Sequence, residues 1–204
     1  MAERTPAKAW QEMVRGNERF VRGEPLHPRQ DVERRAELAT GQAPHAALFG
    51  CSDSRLSAEI IFDKGIGDLF VVRNAGQIIS ESVLGSLEYA VGILHVPLIV
   101  VLGHDECGAV LAAIDATKPD APQLPPHIAS LVAKIVPAVK RVAERGEVDS
   151  SEVGREHLRD TISELIEGSE LISDAIAAGT LAIVGANYRL LEGTAIADIH
   201  VGNL

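Results

Sequence analysis

The sequence predicts an α/β fold: a central, mostly parallel β-sheet flanked by helices, with an N-terminal helical arm over about residues 1–40. Four short apolar runs, Ala46 to Gly50, Leu69 to Val72, Leu98 to Leu102 and Leu181 to Val184, are aliphatic or β-branched enough to read as buried strands. Longer segments of helical periodicity separate them, and strands alternating with helices build a parallel sheet covered on both faces. The chain has 204 residues, which at roughly 100–200 residues per domain fits a single domain spanning 1–204.

Taken in order, Trp10, Met13, Val14, Phe20 and Val21 fall at helix-like spacing before a Pro-containing stretch from Glu24 to Pro28. The strand at Ala46 to Gly50 follows this arm, then the strand at Leu69 to Val72. Helices are predicted over Ser82 to Leu94 and Glu106 to Ala116, on either side of the third strand. Thr117 to Pro126 carries four prolines in ten residues and can be neither helix nor inner strand, so it is a surface excursion. Two further helices are predicted over Ile128 to Glu144 and Val153 to Ala178, the acidic stretch from Glu164 to Glu170 being a solvated face.

The composition narrows function. At 46% hydrophobic and 24% charged the chain is an ordinary globular one. A formal charge of −10 repels phosphate backbones and acidic lipid surfaces, which excludes nucleic acid as the first partner to consider. No apolar run of about 18 residues occurs, and the opening MAERTPAKAW lacks the apolar stretch of a secretory signal. A soluble, unprocessed, cytoplasmic protein is expected. The mean hydropathy of +0.11 with only 3% aromatics leaves surplus aliphatic surface for another subunit to cover.

Two cysteines, Cys51 and Cys107, are too few for a disulfide scaffold. In an open parallel sheet, ligands bind beyond the carboxyl ends of strands. The first strand runs into Cys51-Ser52-Asp53-Ser54-Arg55, and the third into Gly103-His104-Asp105-Glu106-Cys107-Gly108, so both cysteines fall at one edge of the sheet. His104 and Cys107 are spaced so that a strand-to-helix turn presents a nitrogen and a sulfur to one ion, and Cys51 completes a three-point grip. Thiolate and imidazole favour zinc, and three protein ligands with one open position is a catalytic pattern. A helix beginning near Cys107 would lower its thiol pKa. Taken singly, a buried cysteine is usually a small hydrophobe and a histidine at a strand end is usually just hydrogen-bonded; the joint placement is what points to metal. None of His27, His45, His95, His127, His157 and His200 forms a close pair that would complete a structural Cys2His2 site.

Asp53 and Arg55 lie close enough to reach the same surroundings. An Arg-paired carboxylate stays ionised and acceptor-only, whereas a free one could bind the metal as a fourth ligand. The alternative is a solvated surface ion pair.

CSDSR followed by HDECG resembles the β-class carbonic anhydrases, and the similarity extends through Leu69 to Gly76, the Leu87-Glu88-Tyr89-Ala90 helix and the Gly185 to Gly193 tail. The resemblance implies Cys51, His104 and Cys107 as zinc ligands, Asp53 with Arg55 as the catalytic dyad, and reversible hydration of carbon dioxide to bicarbonate by a zinc-bound hydroxide. It further implies a plant-like substrate pocket of Gln42, Phe70 and Tyr89, assembled between two subunits of a homodimer or homotetramer whose N-terminal helices embrace the partner. Relatives of this fold also hydrolyse carbonyl sulfide or carbon disulfide at the same site, and a non-catalytic zinc- or bicarbonate-binding role is the third reading. Leu48 stands where the bicarbonate-regulated bacterial subgroup has a tryptophan, although Arg73 and Tyr188 match that subgroup; this argues against the same bicarbonate lock, while a pH-dependent closure of the site by Asp53 stays open. Ala75 replaces a common valine, and Arg189 an aspartate.

Overall fold

The computed structural model describes residues 5–204, so the first four residues of the expected arm lie outside the description. The arm consists of α1 (Pro6–Arg22), α2 (Val32–Glu37) and a 3-10 turn at Leu38–Thr40. Then follow β1 (Ala46–Cys51), α3 (Ala58–Ile61), β2 (Leu69–Asn74), α4 (Glu81–Gly92), β3 (Leu98–His104) and α5 (Gly108–Ala116). The chain ends with α6 (Pro126–Ala133), α7 (Val136–Arg145), α8 (Ser150–Glu167), α9 (Glu170–Ala177), β4 (Ala182–Tyr188) and β5 (Ala195–Val201).

The five strands form one sheet in the order β2-β1-β3-β4-β5. All neighbouring pairs are parallel except β4 with β5. Every residue of β1 and β3 is buried, as expected of central strands with helices on both faces. One apolar layer joins Leu48, Val100 and Val184 to α1, α3, α5, α6 and α7; the other joins Phe49, Val101 and Ile183 to α4, α8 and α9. Among the described residues no helix is long and apolar enough to cross a membrane.

Three expectations need correction in detail. β5 was not predicted, because it alternates half-buried and exposed residues instead of presenting a continuous apolar run. The helix expected over Ile128 to Glu144 is two helices with a break between Ala133 and Val136, where Pro137 sits in the first turn of α7 and cannot donate to a preceding turn. That expected over Val153 to Ala178 is also two, because the Ser169 side chain caps α9 by accepting from Ile172 N–H.

α1 packs on its own chain. Thr5 caps its start by accepting from Lys8 N–H, and its inward face carries Ala9, Met13, Gly16 and Asn17. A side chain at Gly16 would place its Cβ 1.8 Å from the Phe62 carbonyl oxygen, so the helix meets α3 at a distance only glycine allows. Asn17 is buried, donates to the carbonyls of Ile61 at 3.1 Å and Gly193 at 2.8 Å, and accepts from Ala195 N–H at 2.9 Å. One side chain thus ties α1 to α3 and to the β4–β5 hairpin. Asn17→Ala leaves backbone groups buried without partners, each costing about 1–3 kcal/mol. Urea unfolding at fixed protein concentration is expected to show a loss of about 3 kcal/mol; an unchanged midpoint would mean that water reaches these groups.

Candidate metal centre

β1 and β3 are adjacent and parallel, with Gly50 opposite Leu102. Their carboxyl ends therefore finish side by side, placing Cys51, the last residue of β1, next to Gly103 and His104, the last two of β3. The chain then turns through Asp105 and Glu106, the latter with a left-handed φ of 50°, and Cys107 becomes the N-cap of α5. All three side chains are buried, and the two sulfurs and a ring nitrogen lie within 4.8 Å of one another.

The polar atoms of this group are oriented by the backbone. His104 Nδ1 is 2.7 Å from the Asp105 carbonyl oxygen; a carbonyl only accepts, so Nδ1 carries the proton and Nε2 the lone pair. Nε2 is buried and has no partner among the described residues. Cys51 Sγ accepts from Gly76 N–H at 3.3 Å and from the Asp53 amide. The Cys51 thiol is held well below its ordinary range, first by the hydrogen bond from Cys107 and further by these amides, against the opposing effect of burial. Cys107 is pushed up by the same Cys51 contact and by burial, although the Val110 and Ala109 amides at the start of α5 pull the other way. The pair therefore holds one proton between two sulfurs. A buried thiolate, a second thiol and an unpaired imidazole lone pair converging on one point form a donor set that fits a soft divalent ion, and Cys51, His104 and Cys107 could hold it.

Asp53 stands beside this group but outside it. Its Oδ1 accepts from Arg55 N and Nε, both at 2.9 Å, and its Oδ2 from Arg55 Nη2 at 2.8 Å. This fork holds the Asp53 carboxyl well below the usual carboxylate range, so it is ionised throughout the neutral region. Arg55 also donates to the Glu106 carbonyl at 3.1 Å, joining the loop after β1 to the loop after β3. Arg73, on β2, donates to the carbonyls of Cys51 at 2.9 Å and Asp53 at 2.7 Å. That bracing was missed from sequence, where a lone arginine on a strand gives no sign of which carbonyls it meets. Leu48 is core, Tyr188 is buried in register with His104, and Arg189 lies 3.5 Å from Asp105, the residue whose carbonyl fixes the His104 ring.

Gln42, Phe70 and Tyr89 are placed elsewhere in the chain. Phe70 pairs with Ala47 near the amino end of β1, and its ring is 6.1 Å from that of Tyr89. Gln42 is exposed ahead of β1. Ala46 and Cys51 are the two ends of β1, about 16 Å apart at the usual rise per residue. One chain by itself does not bring the three residues to the Cys-His-Cys group.

The sequence profile of the carbonic anhydrase family matches residues 46–195. Carbonic anhydrase 2 of Mycobacterium tuberculosis is 48% identical over all of this chain and 98% of its own length. The carbonic anhydrase of Mycolicibacterium smegmatis is 45% identical, also over all of this chain and 98% of its own. Among solved structures, a tetrameric β-carbonic anhydrase of Sordaria macrospora superposes with a TM-score of 0.73 at 26% identity, covering 82% of this chain and 87% of that one.

The uneven ionisation of the two thiols has a consequence for the metal-free protein. Both cysteines are similarly buried, so access is comparable and the thiolate fraction decides reactivity. At pH 6, with the Cys51 thiol held below its ordinary range, iodoacetamide is expected to label Cys51 ahead of Cys107, as read by peptide mass mapping. The preference should fade on acidification, as Cys51 takes up its proton. Equal rates at pH 6 would contradict the shared-proton arrangement.

Proposed function

The chain belongs to the β-class carbonic anhydrases, and on that premise we propose that it hydrates carbon dioxide reversibly to bicarbonate and a proton with a zinc ion held by Cys51, His104 and Cys107. The observation that carries this reading is the convergence of two cysteine sulfurs and a His104 ring nitrogen within 4.8 Å of one another, in a ring whose buried Nε2 has no other partner among the described residues. Zinc bound there would supply the Lewis acidity that makes water nucleophilic near neutral pH.

The chain's own residues supply orientation. Asp53, ionised and gripped by Arg55 on both oxygens, can accept a hydrogen bond but not give one. It would therefore align a nucleophilic water by accepting its hydrogen bond and leaving a lone pair for the substrate carbon. With both oxygens engaged by Arg55, Asp53 is turned away from service as a fourth ligand. Arg73 fixes the backbone on which Cys51 and Asp53 are carried, so ligand and acceptor keep their relative placement.

Carbon dioxide offers few handles, and an amide donor with an apolar wall is a suitable surface for it. Gln42, Phe70 and Tyr89 provide that chemistry, and their distance from Cys51 within one chain means that a second copy supplies them. A homodimer, or a tetramer such as the Sordaria protein forms, would satisfy this requirement. A cytoplasmic setting, where thiols stay reduced, suits a site with two free cysteines.

Stopped-flow hydration assays test the activity: zinc-loaded protein inactive at pH 8 to 9 would overturn it, and sulfide release from carbonyl sulfide or carbon disulfide exceeding carbon dioxide turnover would favour the hydrolase alternative. Asp53→Ala with zinc retained is expected to lose about 100-fold, the scale on which misplacing a reacting group acts, whereas a purely binding protein would show no difference.

The shared pocket has its own test. Asp53→Ala and Gln42→Ala chains are each expected to be impaired as homo-oligomers. In a mixed dimer one site carries both defects and the other carries neither, so co-expression should restore activity. No recovery in isolated mixed dimers would place Gln42 in its own chain's site or outside catalysis.

A further inference from the structure

His157 lies on α8, buried, with its Nε2 2.7 Å from the Gly76 carbonyl oxygen. A carbonyl can only accept, so Nε2 carries the proton and donates. Burial lowers the imidazole's pKa, which keeps the ring neutral and its tautomer set by this one bond. One turn further along the same face, Thr161 Oγ1 shares its single proton between the His157 carbonyl at 2.9 Å and the Gln77 carbonyl at 3.3 Å. Two side chains of α8 thus hold the carbonyls of two successive residues in the loop after β2. The other side of the loop is bracketed by Asn74, whose side chain accepts from Ile78 N–H at 2.8 Å and donates to the Ile78 carbonyl at 2.7 Å.

What this loop presents is the Gly76 N–H, 3.3 Å from Cys51 Sγ. Gly76 has a φ of 80°, and a Cβ there would lie 2.9 Å from the Ala109 side chain in the first turn of α5. Only glycine fits, and glycine is the residue whose peptide planes rotate with least resistance. The aim of its N–H therefore depends on what fixes the flanking peptides.

We propose that His157 is a positioning residue for the Cys51 ligand: together with Thr161 it locks the Gly76–Gln77 segment so that the Gly76 N–H stays on the Cys51 sulfur. An amide hydrogen bond to a metal-bound thiolate draws electron density from the sulfur and fixes its direction. Outer partners of this kind orient the ligand and tune what the metal does. Carried by α8, the arrangement links a helix that supplies no ligand to the sulfur at the end of β1. The inference rests on the reading of Cys51, His104 and Cys107 as metal ligands.

The test compares His157→Leu and His157→Gln with the unsubstituted protein, after far-ultraviolet circular dichroism shows which are folded. Gln can place an amide N–H near the position of Nε2; Leu cannot. Two quantities are measured: zinc affinity by chelator competition, and the thiolate-to-metal charge-transfer band of the cobalt(II)-substituted protein. For Leu, affinity is expected to fall about 10-fold or more, the scale on which such outer partners act. Its charge-transfer band should move to longer wavelength, because a sulfur relieved of its hydrogen bond gives up charge more easily. Gln should return both quantities toward the original values. A folded Leu variant with unchanged band and affinity overturns the proposal, as does a Gln variant as impaired as Leu. If the Leu variant does not fold, Thr161→Val, which removes the hydroxyl's grip on the loop together with its bond to the His157 carbonyl within α8, must shift the band in the same direction, and no shift overturns the proposal. Unsubstituted protein that takes up neither zinc nor cobalt would instead refute the metal reading itself.

Discussion

Two parallel strands lying side by side must end side by side, and the candidate centre depends on that constraint. β1 and β3 are adjacent although they are the first and third strands in sequence, and β2 lies on the outer edge. This order brings Cys51 beside His104 across 53 residues of chain without any long loop having to find its way back. Cys107 then needs only the short turn from His104 to the start of α5. The two central strands are buried along their whole length, so the support beneath the three side chains is packed core on both faces. A site on loops alone could not hold three donor atoms within 4.8 Å against the entropy of ordering them.

Burial at that position creates an electrostatic problem which the rest of the site addresses. Two sulfurs and an imidazole taken out of water need partners, and each receives one from the backbone: amides of Gly76 and Asp53 on Cys51, amides of Ala109 and Val110 on Cys107, and the Asp105 carbonyl for His104. These contacts leave the His104 Nε2 lone pair unused, and an unused buried acceptor costs about 1–3 kcal/mol. The protein bears that cost where a cation would recover it. Arg55 and Arg73 contribute differently, by tying down the chain around the centre. Arg55 joins Asp53 to the loop after β3, and Arg73 fixes the carbonyls of Cys51 and Asp53.

The features legible in the sequence were those with a local signature. Continuous apolar runs gave β1 to β4, and a cysteine at one strand end with a histidine and cysteine at another pointed to one shared edge. The runs ended early because Cys51, Gly103 and His104 are chemically unlike strand residues although they complete β1 and β3. β5 escaped because an edge strand with one exposed face alternates, with Asp198 and His200 interrupting the apolar pattern. His157 was indistinguishable from other histidines, since its meaning lies in a carbonyl 81 residues away. Gly76 likewise carries no local sign of its role, and only the closeness of Ala109 and of the Cys51 sulfur shows why no side chain is allowed there.

The placement of Gln42, Phe70 and Tyr89 adds a geometric argument about assembly. β2 is an edge strand whose Leu69, Phe70, Val71 and Val72 are only half-buried, an apolar edge of the kind soluble proteins rarely leave uncovered. Phe70 and Tyr89 sit on this edge near its amino end, and Cys51 lies at the carboxyl end of the neighbouring strand. Two copies related by a twofold axis run their equivalent elements in opposite directions when those elements cross the axis. The amino end of one β2 edge then comes near the carboxyl ends of the other copy's strands. In the proposed oligomer a single contact would both cover the edge and complete the pocket, so a lone protomer would be deficient in stability and in substrate binding for the same reason.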